Sequence, residues 1–350
     1  MPKTSYLNRK TISIENDDLR VTVTEEGGHI AEVFSKAAGI NPLWTPNWTS
    51  GEPSQFGPEQ EAIFGNDAGS KLLYGILGHN LCLDLFGGPS AAEAAAGMTA
   101  HGEASLLEYS ITESGNSMTC NLVMPLAQLA FKRIITLHGS DVRIEETVTN
   151  LAAFDRPLAW TQHVTLSPPF LDPKTTQFRM TADRATIAEV DPGNAPYLAL
   201  GKKFAWPHAP LADGTGSHDL MSMNPEAPAS SYAALRMIPT AKAVGWTAWS
   251  PTSKLAFSYV WKPEDFPWLG IWEENCSRPQ SPWNNAAVTR GMEFGTSPFP
   301  ESRREMTERV RLLDTPTYKW LPALGQLQAT YWIRTAITES IPETLAMPSL

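Results

Sequence analysis

The chain has 350 residues, 42% of them hydrophobic, and a formal charge of −10 at neutral pH. That length can bury a large core, as one large β domain or two average ones. The acidic balance argues against nucleic acid or an anionic membrane as partner, since no basic surplus exists to neutralise phosphates, and leaves a small molecule as the default. No segment approaches the ~18 consecutive apolar residues of a membrane span, and the initial MPKTSYLNRK lacks the apolar centre of an export signal. Cys82, Cys120 and Cys276 are widely spaced, with neither a disulfide framework nor a CxxC pair, which suits a reducing compartment. A cytoplasmic protein is expected.

Taken in order, Ile12 and Ile14, then Leu19, Val21 and Val23, alternate at period two about Asn16-Asp17-Asp18, the pattern of an opening hairpin. Gly27-Gly28 turns into a strand over His29 to Val33, and Leu43-Trp44 follow. Residues 45–70, rich in Pro, Gly, Ser and Asn, predict a long irregular excursion of the kind that shapes sites or lids. From Gly75 to Pro89 an apolar run is interrupted by His79, Asn80 and Asp84, polar groups that must find partners or face a cavity. Ser90 and Glu93 form a capping box for a short alanine-rich helix that Gly97 can stop. His101-Gly102-Glu103-Ala104 comes next, then strands over Leu107 to Thr112 and Met118 to Met124.

The clearest alternation lies between Phe131 and Leu171. Phe131 to Leu137 and Val142 to Val148 are two strands, and a third follows Pro157. In the third, Leu158, Trp160, Gln162 and Val164 share one face and Ala159, Thr161, His163 and Thr165 the other, so His163 sits mid-strand on the more polar side. Phe178 to Met180 and Ile187 to Val190 predict strands. Residues 191–232, with Pro192, Pro196, Pro207, Pro210, Pro225 and Pro228, predict loop. Strands resume at Ala243 to Trp249, Leu255 to Trp261 and Trp268 to Asn275. Thr289 to Pro298 supplies another, with Glu293 between Met292 and Phe294, and Met306 to Leu313 and Thr330 to Ile337 complete the set. No repeat or linker divides the chain, so one domain over 1–350 is expected. Many strands without a βαβ rhythm predict an all-β fold of antiparallel sheets packed face to face.

Several elements, in this order, resemble the aldose 1-epimerase (galactose mutarotase-like) superfamily. They are Gly27-Gly28-His29-Ile30 with Leu43-Trp44, then His101-Gly102-Glu103-Ala104. After them come the strand, turn and strand ending in Thr149-Asn150 with Trp160-Thr161-Gln162-His163, and finally Glu293 with Gly295-Thr296-Ser297-Pro298. The resemblance implies a large antiparallel β-supersandwich and an isomerase acting on a small-molecule sugar. It implies His163 as general acid, Glu293 as general base and His101 as a binding residue near the ring oxygen. Substrate contacts are further expected from His79 and Asn80, in the region where the superfamily holds its sugar, and from Trp272, because indoles suit the apolar faces of sugar rings.

Interconverting the anomers of an aldose needs one group to take a proton from the anomeric hydroxyl and another to protonate the ring oxygen. A Glu and a His, with ordinary pKa values of about 4.3 and 6.5, suit those two roles at neutral pH. No metal or nucleotide cofactor is expected; the sequence has neither a P-loop nor an HExxH motif. Two departures leave the sugar open: the Asn-Arg-Ile segment of the best-known members is missing, and Gln162 stands where they carry Asn. An acidic or phosphorylated sugar would draw on Arg278, Arg290, Arg303 and Arg304. The alternatives are a carbohydrate-binding relative without turnover, and a glycoside hydrolase or lyase drawing its pair of carboxylates from Glu273, Glu274 and Glu293. Nothing in the sequence sets the oligomeric state.

Overall fold

Alternating apolar residues build two large antiparallel sheets, one of eleven strands and one of eight, in the computed structural model, which describes residues 4–343 and 346–348. The eight-stranded sheet runs, in spatial order, Gln177–Met180, Val244–Ser250, Leu255–Trp261, Gln326–Ile337, Asp141–Asn150, Leu129–His138, Ser117–Met124 and Ser110–Ser114. In the middle of the eleven-stranded sheet lie His79–Leu83, Trp160–Leu166, Val288–Gly295, Trp268–Asn275 and Ala229–Met237, side by side in that order.

The two sheets differ in how they meet water. Leu129–His138 and Asp141–Asn150 alternate between buried and more exposed residues, as a sheet with one solvated face must. Trp160–Leu166 and Trp268–Asn275 are buried at every position, because both of their faces are covered. The inner face meets the smaller sheet: Phe294 stacks on Trp261 with ring centroids 4.2 Å apart and meets Tyr331 edge-on at 5.3 Å. The outer face carries an apolar cluster of its own, including Trp44, Leu72, Tyr232, Trp272, Trp283 and Phe299. No helix among the described residues is long and apolar enough to cross a membrane.

The all-β expectation holds, and several local ones do not: the strand predicted over Ile187 to Val190 lies instead at Ala182–Ile187, and the predicted 191–232 loop holds the short strands Lys203–Ala205, His208–Pro210 and Ser217–Asp219. The excursion over 45–70 contains the helix Pro58–Phe64 and runs into a second, Ser70–Gly75, with Pro58 in the first turn and Gln60 closing back on Gly57. Instead of a strand at Met306 to Leu313, Ser302 and Glu305 form a capping box that starts a helix at Arg303–Arg309, which turns Met306 inward. The long strand Ala229–Met237 begins inside the predicted 191–232 loop. Its Ala-Ser-Ser-Tyr-Ala-Ala sequence is weak in β-branched residues, so central position in the sheet, not propensity, makes it a strand.

Candidate active site

His163 and Glu293 come from neighbouring strands, opposite one another in the register of Trp160–Leu166 with Val288–Gly295. Both project onto the outer face, where Nε2 of His163 lies 3.1 Å from Oε1 of Glu293. The Thr165 hydroxyl, two residues along the same face, is 3.2 Å from His163 Nδ1 and fixes the ring. On the far side of Glu293 stands Gly270, and Tyr232, one strand further out, leans over it: a Cβ at Gly270 would lie 2.0 Å from the Tyr232 hydroxyl. That hydroxyl hydrogen-bonds with Glu293 and is 3.2 Å from the Pro298 carbonyl. Gly291 makes room in the same way, since a Cβ there would meet Glu293 Oε1 at 2.6 Å and Trp272 at 3.2 Å.

His101 reaches the same place from a turn. It adopts φ 63°, and Gly102 follows at φ 79°, where a Cβ would lie 2.1 Å from the Leu83 carbonyl oxygen. The His101 and His163 rings meet edge to face, with centroids 5.2 Å apart. His101 Nδ1 lies 2.8 Å from the Cys82 thiol, and the imidazole also bonds to the Phe86 backbone.

Together these groups floor a cavity of about 350 Å³. His101, His163, Tyr232 and Glu293 supply its polar end; Trp44, Phe64, Trp272 and Trp283 supply aromatic walls, and Asp67, Ser70 and Arg278 add polar groups to the lining. Burial sets the protonation of the pair. It pushes Glu293 up to about 8 and His163 down to about 3, with the neighbouring His101 adding to the latter. Burial likewise holds His101 down to about 4. A neutral imidazole beside a protonated carboxyl carries the same proton count as an ion pair, so His163 and Glu293 hold one proton between them at neutral pH.

Trp272, expected as a sugar contact, lines the cavity, and its indole nitrogen is buried without a partner among the described residues. His79 and Asn80 do not line it. Strand alternation turns His79 inward, where Nε2 donates to Gln162 Oε1 at 2.9 Å and Nδ1 accepts from the Tyr259 hydroxyl at 3.1 Å. Asn80 shares the face of His163 but is fully buried, donating to the Ser105 hydroxyl at 3.2 Å beneath the turn Glu103–Ser105. Of the four arginines singled out in the sequence, only Arg278 lines the cavity. Arg290 is buried on the inner face against Glu273 at 3.2 Å, Arg303 pairs with Asp84 at 2.9 Å and Arg304 with Glu308 at 2.7 Å. Tyr232 and Cys82 carried no sequence signal: the first fell in a predicted loop, and the second is one cysteine of an apolar strand.

No protein-family model and no curated protein matches the sequence. Solved structures match its fold. A Klebsiella pneumoniae protein assigned provisionally to the aldose 1-epimerases has a TM-score of 0.64 at 13% identity, over 95% of this chain and 80% of that one. An Escherichia coli protein with the same provisional assignment has a TM-score of 0.63 at 13% identity, covering 94% of this chain and 100% of its own. A galactose mutarotase related enzyme from Lactobacillus acidophilus gives 0.59 at 13% identity, with 95% and 99% covered. At such identity the likeness is one of architecture. The chain has the galactose mutarotase-like β-sandwich fold.

Proposed function

We propose that the protein is an aldose 1-epimerase-type isomerase that opens and recloses the ring of a small sugar with His163 and Glu293 as its acid–base pair. One observation carries this reading: a His and a Glu in hydrogen-bond contact at 3.1 Å on the floor of a sugar-sized cavity. Ring opening takes a proton from O1, forms the C1=O1 bond, breaks C1–O5 and puts a proton on O5. From the ion-pair arrangement of their shared proton, which has the same proton count, Glu293 accepts the first proton and His163 gives the second. The pair ends with one proton, as it began, so reclosure on the other face after rotation about C1–C2 runs the same steps backwards. Thr165 holds the imidazole at Nδ1 while Tyr232 holds the carboxyl, which keeps both groups aimed as the sugar enters between them.

The hydrolase reading loses the two partner carboxylates that the sequence offered it. Glu273 is engaged on the inner face by Arg290 and by the Tyr197 hydroxyl at 2.6 Å, and Glu274 by Ser277 and Arg278. Neither lines the cavity. Polarimetry on freshly dissolved α-glucose and α-galactose tests the proposal. Wild type should bring either or both to anomeric equilibrium faster than buffer alone, and Glu293→Gln should abolish the acceleration while remaining folded. Sugar binding without acceleration would point to a binding protein, and release of sugar from glycosides to a hydrolase.

A further inference from the structure

We propose that Arg278 is the residue by which the cavity recognises its substrate, donating from Nη1 to an oxygen of a neutral aldose remote from the reacting pair; this rests on the isomerase reading above. The guanidinium is fixed on three sides. Nε lies 3.1 Å from Oε2 of Glu274, Nη2 donates to the Pro192 carbonyl at 2.6 Å, and the carbon centre sits 4.4 Å from the Trp283 ring centroid and 5.4 Å from that of Trp272. Those partners are themselves held. Glu274, fully buried, accepts from the Ser277 backbone N–H at 2.5 Å and from its hydroxyl at 2.7 Å. Gly193 lets the Pro192 segment come so close that a Cβ there would lie 2.3 Å from Ser230 and 2.6 Å from Ser277.

Arg278 lines the cavity, and its Nη1 makes no hydrogen bond among the described residues. A planar fork with two arms anchored and one free is a pre-organised donor, because its rotamers are ordered before the ligand arrives. The surrounding charge selects a hydroxyl over an anion. Glu274 already compensates the guanidinium, the carboxyl groups of Asp67 and Glu293 share the lining, and Arg290, Arg303 and Arg304 are committed elsewhere. A phosphate or carboxylate would meet a cation already paired with Glu274, whereas a hydroxyl needs only an N–H.

The test compares wild type, Arg278→Lys and Arg278→Gln against a panel of free hexoses and pentoses, glucose 6-phosphate and glucuronate. Binding is read from tryptophan fluorescence, which Trp272 and Trp283 beside Arg278 report, and turnover from polarimetry. Wild type should bind a neutral sugar most tightly. Both variants should raise its Kd and KM about tenfold or more with kcat within about threefold, because the lost bond is made in ground and transition states alike. The lysine variant keeps charge near Glu274 and so reports on the fork even where the glutamine variant folds poorly. Unchanged binding in a folded variant would overturn the inference, as would tighter wild-type binding of glucose 6-phosphate or glucuronate than of any neutral sugar. A wild type that binds a neutral sugar through Arg278 without turning it over would sink the isomerase reading and leave the recognition role standing.

Discussion

Buried in contact, a carboxyl and an imidazole titrate as a pair, and this fixes the pH dependence of the proposed reaction. With separate, ordinary groups the active window would lie between about 4.3 and 6.5, and activity would fall as pH rose through the histidine value. Burial instead raises Glu293 to about 8 and lowers His163 to about 3. The singly protonated pair then persists from about 3 to about 8, and loses its proton only above that range. The kcat/KM for anomer interconversion, corrected for the buffer reaction, should therefore stay level through neutrality and fall as pH rises through about 8. A descending limb near the ordinary histidine value of about 6.5 would mean that the two groups titrate independently. The pair itself was legible in the sequence, because each residue sits in a short, ordered motif. The partners of His101 were not: the Cys82 contact joins two residues that only the turn at His101-Gly102 brings together.

Between strands, what positions Glu293 is partly an absence of side chain. Gly291 lies two residues before Glu293 on the same strand face, and its backbone is extended, so alanine would be tolerated by the chain itself. The obstacle is local: the new methyl would stand 2.6 Å from the Glu293 carboxylate and 3.2 Å from Trp272. Gly291→Ala should thus keep a thermal midpoint close to wild type while kcat falls as much as about 100-fold, the cost of misaiming a catalytic group by roughly an ångström. Full activity in the alanine variant would show that the carboxylate shifts freely and that its observed position is not the working one. Strands with strong alternation, such as Leu129–His138 and Asp141–Asn150, could be read directly from the sequence. Ala229–Met237 could not, because small residues that suit a crowded sheet centre resemble a loop when read one after another. The helix at Arg303–Arg309 had a readable start in Ser302 and Glu305, outweighed by the apolar residues that follow.

Across the whole sandwich, the two sheets are fastened by a polar network directly beneath the strand that carries His163. Arg133 and Glu146, on adjacent strands of the smaller sheet, form an ion pair at 2.7 Å with side chains 1% and 0% exposed. Glu146 also accepts from Gln162 at 2.6 Å, from Trp160 Nε1 at 3.1 Å and from the Tyr331 hydroxyl at 2.8 Å. Arg133 donates to Gln162 Oε1 at 3.3 Å and to the Gly28 carbonyl at 3.1 Å. Gln162, which in sequence was only a departure from the superfamily's Asn, thus ties the sheets together, since its side chain spans the core to both ions while His163, its neighbour, faces the cavity. Such a role arises from tertiary packing, and no local pattern encodes it. A network so fully satisfied is costly to break at one point and much less costly to replace whole, because a single deletion leaves a buried charge unpaired. Glu146→Ala should lower the unfolding free energy by about 3–5 kcal/mol in denaturant titration, since it strands Arg133 in the interior. Combining Arg133→Met with Glu146→Leu should recover a large part of that loss, although two charges and several hydrogen bonds are gone. If the double variant is as unstable as the two single losses added together, the ions hold the sheets by attraction in their own right, and the stranded-charge account is wrong.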